Sequence, residues 1–123
     1  MRVKDAVGRF GEQVACDHLE RAGLTILERN WRCAAGEIDV VALDGSALVI
    51  VEVKTRSSAR FGSPMEAVDR TKRLRLRRLA VQWMAAATEG SARTWTSVRF
   101  DVIAVVRATG DAPLDVVHVR GAF

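Results

Sequence analysis

Hydrophobic residues recur along the chain at two spacings, one typical of helices and one typical of strands. From about residue 5 to residue 22 they fall on one arc at about 100° per residue, which predicts an amphipathic helix. Gly23 follows at the position where a helix C-cap glycine is expected. The arc contains Val7, Phe10, Val14, Ala15, Leu19 and Ala22, with His18 inside it.

A second helical pattern begins after Asp69, a favourable N-cap residue, and continues to about Thr88. Its apolar stripe consists of Leu76, Leu79, Ala80 and Trp83. The preceding segment Ser63-Pro64-Met65-Glu66 has the form of a capping box with proline at the first helical position. We therefore expect a short helical turn followed by the long helix.

Five shorter runs rich in β-branched residues predict strands, at about residues 24–31, 36–43, 47–54, 98–106 and 114–119. Trp31, at the end of the first run, is expected to pack in the core or at the sheet edge. Combined with the two helices, the runs give the order αβββαββ. This order predicts one α/β domain over residues 1–123, with a five-stranded mixed sheet flanked by helices.

The second and third strands form a predicted hairpin that carries unexpected charges. If Asp44-Gly45 is a two-residue turn, Asp39 lies opposite Ile50 and diagonal to Glu52. Strand alternation then places Asp39, Glu52 and Lys54 on one face, with Glu37 directly opposite Glu52. A loop longer by one residue would break this arrangement unless a bulge restored it.

The composition is that of a folded protein with a basic bias. The net charge is +4 and the isoelectric point is near 9.8, which suggests an anionic partner. The N-terminus is charged and lacks the apolar segment of a signal peptide, and no apolar run reaches the ~20 residues of a membrane span. Cys16 and Cys33 show no metal-binding spacing, so we expect reduced thiols in a soluble cytoplasmic protein without membrane attachment.

Two carboxylates that converge on one face repel each other unless a cation lies between them. Mg²⁺ prefers oxygen ligands, and Asp39, Glu52 and the carbonyl of Val53 can supply them. Lys54 could then orient a metal-bound water or offset charge on a phosphate, an arrangement suited to phosphodiester hydrolysis. The alternative interpretation is a cross-strand salt bridge of Asp39 or Glu52 with Lys54 on a wet face of the sheet.

Other charged residues allow both functional and structural interpretations. Residues 70–78 contain six basic residues and no acid, which could form a phosphate-binding surface or a solubilising face. Lys72 lies in line with the apolar stripe, one turn before Leu76. Asp101 interrupts an apolar strand and is expected to have a structural partner such as an arginine. His118 is expected at a strand end, outside any site.

Several motifs occur in order and with fitting spacing between about Val7 and Val106, and together they resemble those of the bacterial YraN family. The motifs are Gly8-Arg9-Phe10-Gly11-Glu12, Gly36-Glu37-Ile38-Asp39, Val51-Glu52-Val53-Lys54-Thr55-Arg56, Phe61-Gly62, Glu66-Ala67-Val68, Lys72 and Arg99-Phe100-Asp101-Val102. That family is similar to the restriction-endonuclease-like, PD-(D/E)xK nuclease superfamily and particularly to archaeal Holliday-junction resolvases. Ile38 stands where the superfamily has a proline before its aspartate.

The resemblance implies a restriction-endonuclease-like fold and assigns roles to individual residues. It implies that Asp39 binds metal, that Glu52 and Lys54 form the (D/E)xK pair, and that Glu12 is a helix-borne carboxylate of the metal site. Periodicity alone places Glu12 at the border of the apolar arc, where it could equally be a solvated helix charge.

The leading hypothesis is a DNA endonuclease dependent on Mg²⁺ or Mn²⁺ that acts on structured or branched DNA. The residues expected to bind nucleic acid are Lys72, Arg56, Arg60, Arg73 and Arg77. A symmetric homodimer is suggested by the same resemblance. Two alternatives stay open, namely a non-catalytic nucleic-acid-binding protein or repair adaptor that retains the fold, and a structural domain whose charges form salt bridges.

Overall fold

The computed structural model describes residues 3–56, 68–88, 95–106 and 114–123 of the chain. Two helices and five strands occur in the predicted order αβββαββ. Their bounds are α1 Val3–Arg21, β1 Thr25–Cys33, β2 Gly36–Asp44, β3 Ala47–Arg56, α2 Arg70–Thr88, β4 Ser97–Val106 and β5 Asp115–Val119. The predicted capping box at residues 63–66 and Arg60 lie outside the described residues.

The five strands form one mixed sheet in the order β1-β2-β3-β4-β5. Neighbouring strands are antiparallel except for β3 and β4, which run parallel. A parallel pair requires a crossover connection, and α2 lies in the segment that joins these two strands. The predicted α/β class with a mixed five-stranded sheet is therefore confirmed.

The two helices pack against clusters formed by opposite faces of the strands, because side chains alternate along each strand. The α1 cluster consists of Ala15, Cys16, Leu19, Leu24, Val40, Ala42, Val49, Val51, Ile103 and Val105. The α2 cluster includes the predicted stripe together with Ile38, Val41, Leu48, Ile50, Phe100 and Val102. Trp31 packs against the α2 cluster, as expected for a core residue.

The ends of both helices follow from local sequence. Gly23 has φ +94° just after α1, a conformation that favours glycine, and Asp69 caps α2 by accepting the backbone N–H of Lys72 at 2.9 Å. The predicted buried arc of α1 is only partly correct. Val7 and Phe10 are 47% and 48% exposed, and Ala22 is also exposed, because the sheet covers mainly the middle of the helix.

The register of the β2–β3 hairpin differs from the prediction by two residues. Asp44 pairs with Ala47 and Ile50 pairs with Val41, so the turn is Gly45-Ser46 and not Asp44-Gly45. Gly45 has φ +60°, which suits the first central position of a type II′ turn. This turn leaves Asp44 in the strand, where Arg99 donates to its carboxylate at 2.9 Å. Because the shift is an even number of residues, the side chains of the paired residues stay on the faces of the sheet that the prediction gave them.

Asp101 has the structural role that its position in an apolar strand suggested. It is fully buried, and Arg99 donates to both of its oxygens at 2.9 and 3.0 Å. His118 Nε2 lies 2.7 Å from Asp101 Oδ2, near the end of β5 and 3.1 Å from His18. Burial raises the pKa of Asp101, but bonds from His118 and Arg99 outweigh it and lower that pKa to about 2. The charge is fully compensated.

Within the described part of the chain, neither helix combines the length and apolar character needed to cross a membrane. The two cysteines are free, with Cys16 buried and Cys33 partly buried.

Candidate metal and nucleic-acid site

The candidate site lies where β2 and β3 separate. Their pairing ends at Val40 and Val51, whereas β2 stays paired with β1 as far as Gly36 and β3 stays paired with β4 as far as Arg56. The two strands therefore form a fork, and Asp39 occupies its base. The backbone N–H of Val53 donates to Asp39 Oδ2 at 2.8 Å, so a side chain completes the interstrand bonding where the ladder stops.

Strand alternation breaks at Asp39. Ile38 packs in the α2 cluster and Val40 in the α1 cluster, although residues two apart normally share a face. On the neighbouring strand, Asn30 lies between the residues paired with Ile38 and Val40 and has φ +54°. Side chains from both sides of the sheet can consequently meet at the fork.

Three carboxylates converge there. Glu12, Glu37 and Asp39 each offer an oxygen, and the three oxygens lie within 4.8 Å of one another. A fourth carboxylate, that of Glu52, lies close enough to the Asp39 side chain to raise the pKa of Asp39. Three acidic side chains from α1 and β2 therefore meet at one point, and Glu52 of β3 lies next to Asp39.

Glu12 reaches this point because α1 packs very closely on β3. A Cβ atom added to Gly11 would collide with the Thr55 hydroxyl, so only glycine allows the observed approach. Glu12 follows directly in the sequence and is held by a hydrogen bond to the Asn30 side chain. The helix-borne carboxylate therefore belongs to the cluster and is not a solvated helix charge.

The electrostatics of the cluster favour a bound cation. Burial, and then the nearby Glu52 charge, raise the pKa of Asp39 from 3.8 to about 8. Burial also raises the pKa of Glu12, although the bond to Asn30 and the charges of Arg29 and Arg32 oppose the shift. Two adjacent carboxylates cannot both ionise cheaply, so without a cation Asp39 keeps a proton near neutral pH.

The donor set fits a hard divalent cation. Asp39, Glu12 and Glu37 offer, within 4.8 Å of one another, the carboxylate oxygens that Mg²⁺ and Mn²⁺ prefer. The expected ligand Glu52 lies beside Asp39 but outside this group, and the Val53 carbonyl belongs to the same segment of β3. Glu37 is the additional member of the cluster. Its carboxylate is also paired with Arg32 at 2.9 Å, which reduces its negative charge.

Two lysines border the carboxylates. Lys54 Nζ lies 3.5 Å from Glu52 Oε1, and both side chains are less than one-fifth exposed. Lys72, at the start of α2, makes a side-chain contact with Lys54 that lowers the pKa of Lys72. An ion pair of Lys54 with a carboxylate therefore exists, as the salt-bridge interpretation predicted, but it joins two residues of β3 and does not cross between strands. It leaves the Asp39 carboxylate without a neighbouring positive charge among the interactions that set its pKa.

Two cavities open on the cluster. The α2-side cavity, of about 380 Å³, is lined by Gly36, Glu37, Asp39, Glu52, Arg75 and Leu76. The α1-side cavity, of about 350 Å³, is lined by Val7, Gly8, Glu12, Val53, Lys54, Thr55 and Arg56. The first is dominated by acids and the second combines two cations with apolar surface.

The residues expected to bind nucleic acid are divided between the site and its surroundings. Arg56 lines the α1-side cavity and Lys72 contacts Lys54, so both lie beside the carboxylates. Arg73 donates to the Val68 carbonyl at 2.9 Å, and the Arg77 guanidinium lies 4.9 Å from the centre of the Phe100 ring. These two arginines thus have packing roles in addition to their charge.

Sequence reasoning left three residues out of the expected site. Glu37 was placed on the correct face but was not assigned to the metal, although it belongs to the same motif as Asp39. Arg75 stands one helical turn after Lys72, a spacing that could have indicated it. Asn30 gave no recognisable signal, because its contact with Glu12 depends on how α1 packs over β1.

The fold and this site define a class of protein, namely an α/β protein with a mixed sheet and a carboxylate cluster at a strand fork. The chain belongs to the family described as "Uncharacterised protein family UPF0102", the YraN family, whose model matches residues 11–105. The matched segment includes all four carboxylates of the cluster.

Similar proteins cover essentially the whole chain. A UPF0102 protein of Frankia casuarinae is 54% identical over 100% of both chains. UPF0102 proteins of Beutenbergia cavernae and Acidothermus cellulolyticus are 55% and 49% identical, covering 98% of this chain and 98% and 95% of theirs. The resemblance drawn from the motifs is therefore confirmed at the level of the family.

Proposed function

We propose that this protein is a divalent-metal-dependent endonuclease that hydrolyses phosphodiester bonds in DNA. The contrast between Asp39 and Asp101 carries the proposal. Asp101 is fully compensated by Arg99 and His118 and has a pKa of about 2, whereas Asp39 is buried among other acids and has a pKa raised to about 8. A buried acid without a compensating charge destabilises the fold, so its presence there is best explained by a cation that binds to it.

Asp39, Glu52 and Glu12 would hold Mg²⁺ or Mn²⁺, with the Val53 carbonyl as a further oxygen donor. The cation supplies charge stabilisation at the phosphate and a more acidic water. Glu37, whose charge is partly offset by Arg32, would join these ligands.

Lys54 and Lys72 are the cations nearest to the carboxylates. Lys54 would orient the attacking water and offset negative charge on the attacked phosphate, while Lys72 would contact a phosphate oxygen. The contact between the two ammonium groups lowers the pKa of Lys72, and a phosphate bound beside them would relieve their mutual repulsion. Arg56 and Arg60 would follow the strand backbone, together with Arg73 and Arg77 on α2.

The substrate's overall shape rests on the family resemblance to Holliday-junction resolvases. On that basis we propose branched or structured DNA as the substrate, a symmetric dimer as the active form and the cytoplasm as its location. Binding that depends on Lys and Arg contacts to phosphate should weaken steeply as salt concentration rises.

Cleavage assays test the proposal directly. Supercoiled, single-stranded and four-way-junction DNA are incubated with wild-type protein, Asp39→Ala, Lys54→Ala and the control Glu20→Gln, which alters an exposed acid of α1 away from the cavity. We expect cleavage with Mg²⁺ or Mn²⁺ by the wild type and the control, and none with EDTA or either site variant.

The cleavage assays, together with measurements of DNA binding and metal binding, can also refute the proposal. Salt-sensitive DNA binding without cleavage under any metal would support a non-catalytic nucleic-acid-binding protein or repair adaptor instead. If neither DNA nor metal binds, the acidic cluster is a structural feature.

A further inference from the structure

Two glycines lie three residues apart in α1, and only one of them is explained by packing within the described structure. Gly11 permits the close approach of α1 to Thr55. Gly8 has no atom of the described residues within 4 Å of the position where a Cβ would be. Glycine inside a helix is destabilising relative to alanine, so the missing side chain at Gly8 needs another explanation. One general reason for such a glycine is a ligand that approaches the backbone closely.

The open space at Gly8 belongs to the α1-side cavity. That cavity of about 350 Å³ places Val7 and Gly8 on one side and Lys54 and Arg56 on the other, with Glu12 linking it to the carboxylate cluster. An apolar wall opposite two cations matches a ligand with an apolar ring at one end and an anionic group at the other. A deoxynucleotide unit has this chemistry, because its sugar ring presents mainly C–H groups and its phosphate is anionic.

We propose that the α1-side cavity is a nucleotide subsite, in which the helix backbone at Gly8 lies against the sugar and Lys54 and Arg56 contact its phosphate. The subsite would hold the nucleotide next to the cleaved bond, because Glu12 borders both the cavity and the carboxylate cluster. This inference rests on the proposed function for the identity of its ligand.

Substitutions at Gly8 test the subsite without removing a charged group. Gly8→Leu places a large side chain in the cavity, Gly8→Ala a single methyl group, and both favour the helix. Glu20→Leu, on the exposed side of the same helix, is the matched control for added apolar bulk. Thermal unfolding first verifies that each variant is folded.

Binding of thymidine 5′-monophosphate and of inorganic phosphate is then measured by calorimetry, with and without Mn²⁺. We expect the wild type and Glu20→Leu to bind the nucleotide at least about tenfold more tightly than phosphate. Gly8→Leu should lose this preference and still bind phosphate, and Gly8→Ala should fall between them. Arg56→Gln should weaken both ligands.

Two results would overturn the subsite: a wild type without preference for the nucleotide over phosphate, or a folded Gly8→Leu that binds the nucleotide as tightly as the wild type. Failure of the proposed function has a different signature, because it appears as absent Mn²⁺ binding or as Mn²⁺ binding unaffected by Asp39→Asn. If Mn²⁺ binding fails in either way but nucleotide binding is still lost in Gly8→Leu, the subsite is supported and the proposal of a metal-dependent nuclease is refuted.

Discussion

Asp39→Asn is expected to stabilise the protein at alkaline pH while it removes metal binding. The native state holds a proton on Asp39 up to about pH 8, whereas the unfolded chain releases it near pH 3.8. Because the native state binds more protons across this interval, the free energy of unfolding of the wild type falls as pH rises through it. The neutral amide has no such penalty, and its oxygen can still accept the Val53 N–H.

The magnitude follows from the two pKa values. The rise in the pKa of Asp39 from 3.8 to about 8 corresponds to a loss of roughly 6 kcal/mol in the free energy of unfolding at alkaline pH. Water entering the open fork and rearrangement of Glu12, Glu37 and Glu52 reduce this penalty, so we expect a measured difference of roughly 2–4 kcal/mol. The free energy of unfolding of the variant should be close to that of the wild type near pH 4 and should exceed it by the full difference above pH 8.

Urea unfolding between pH 4 and pH 9 measures this difference, in EDTA and again with excess Mg²⁺. Mg²⁺ should stabilise the wild type but not the variant, because a ligand that binds only the native state raises its stability. Parallel pH profiles for the two proteins in EDTA would refute the electrostatic description of the fork.

Two further substitutions test how the site is built and where its limits lie. Gly11→Ala should lower the free energy of unfolding by roughly 1–3 kcal/mol and weaken Mn²⁺ binding, because the added methyl group collides with the Thr55 side chain and displaces Glu12. Combining it with Thr55→Ala in a double-mutant cycle should recover part of both losses. Additive effects of the two substitutions would contradict the packing explanation. Asp101→Asn should destabilise the protein by about 3 kcal/mol, because it removes the buried negative charge that Arg99 Nε and Nη2 and His118 contact. Mn²⁺ titration of the folded variant should be unchanged, and lost binding would show that Asp101 contributes to the metal site.

The sequence was sufficient for the elements of the fold because each depends on a local pattern. The stripe Leu76, Leu79, Ala80 and Trp83 is buried as its periodicity predicted, and Asp69 caps α2. The hairpin turn was predicted wrongly because Asp44-Gly45 and Gly45-Ser46 both offer a glycine. The pairing of Asp44 with Arg99, which favours the second choice, connects residues 55 positions apart.

The site was only partly predictable for a related reason. The alternation of side chains along β2 and β3 placed Asp39, Glu52 and Lys54 on one face of the predicted hairpin. The error in register was two residues, and an even shift does not move side chains to the other face of the sheet. The fork itself depends on where β2–β3 pairing ends and on how α1 packs over it. These are tertiary features, so the convergence of Glu12 and Glu37 with Asp39 needed the folded structure.

Proton release on Mn²⁺ binding is the most direct test of the central claim, that the cluster around Asp39 is a cation site. Calorimetric titration at pH 7 in buffers of different ionisation enthalpy counts the protons released. Since the pKa of Asp39 is raised to about 8, binding should release about one proton from the wild type and none from Asp39→Asn, which should bind far more weakly. Tight Mn²⁺ binding without proton release, or equal binding by the variant, would contradict the account.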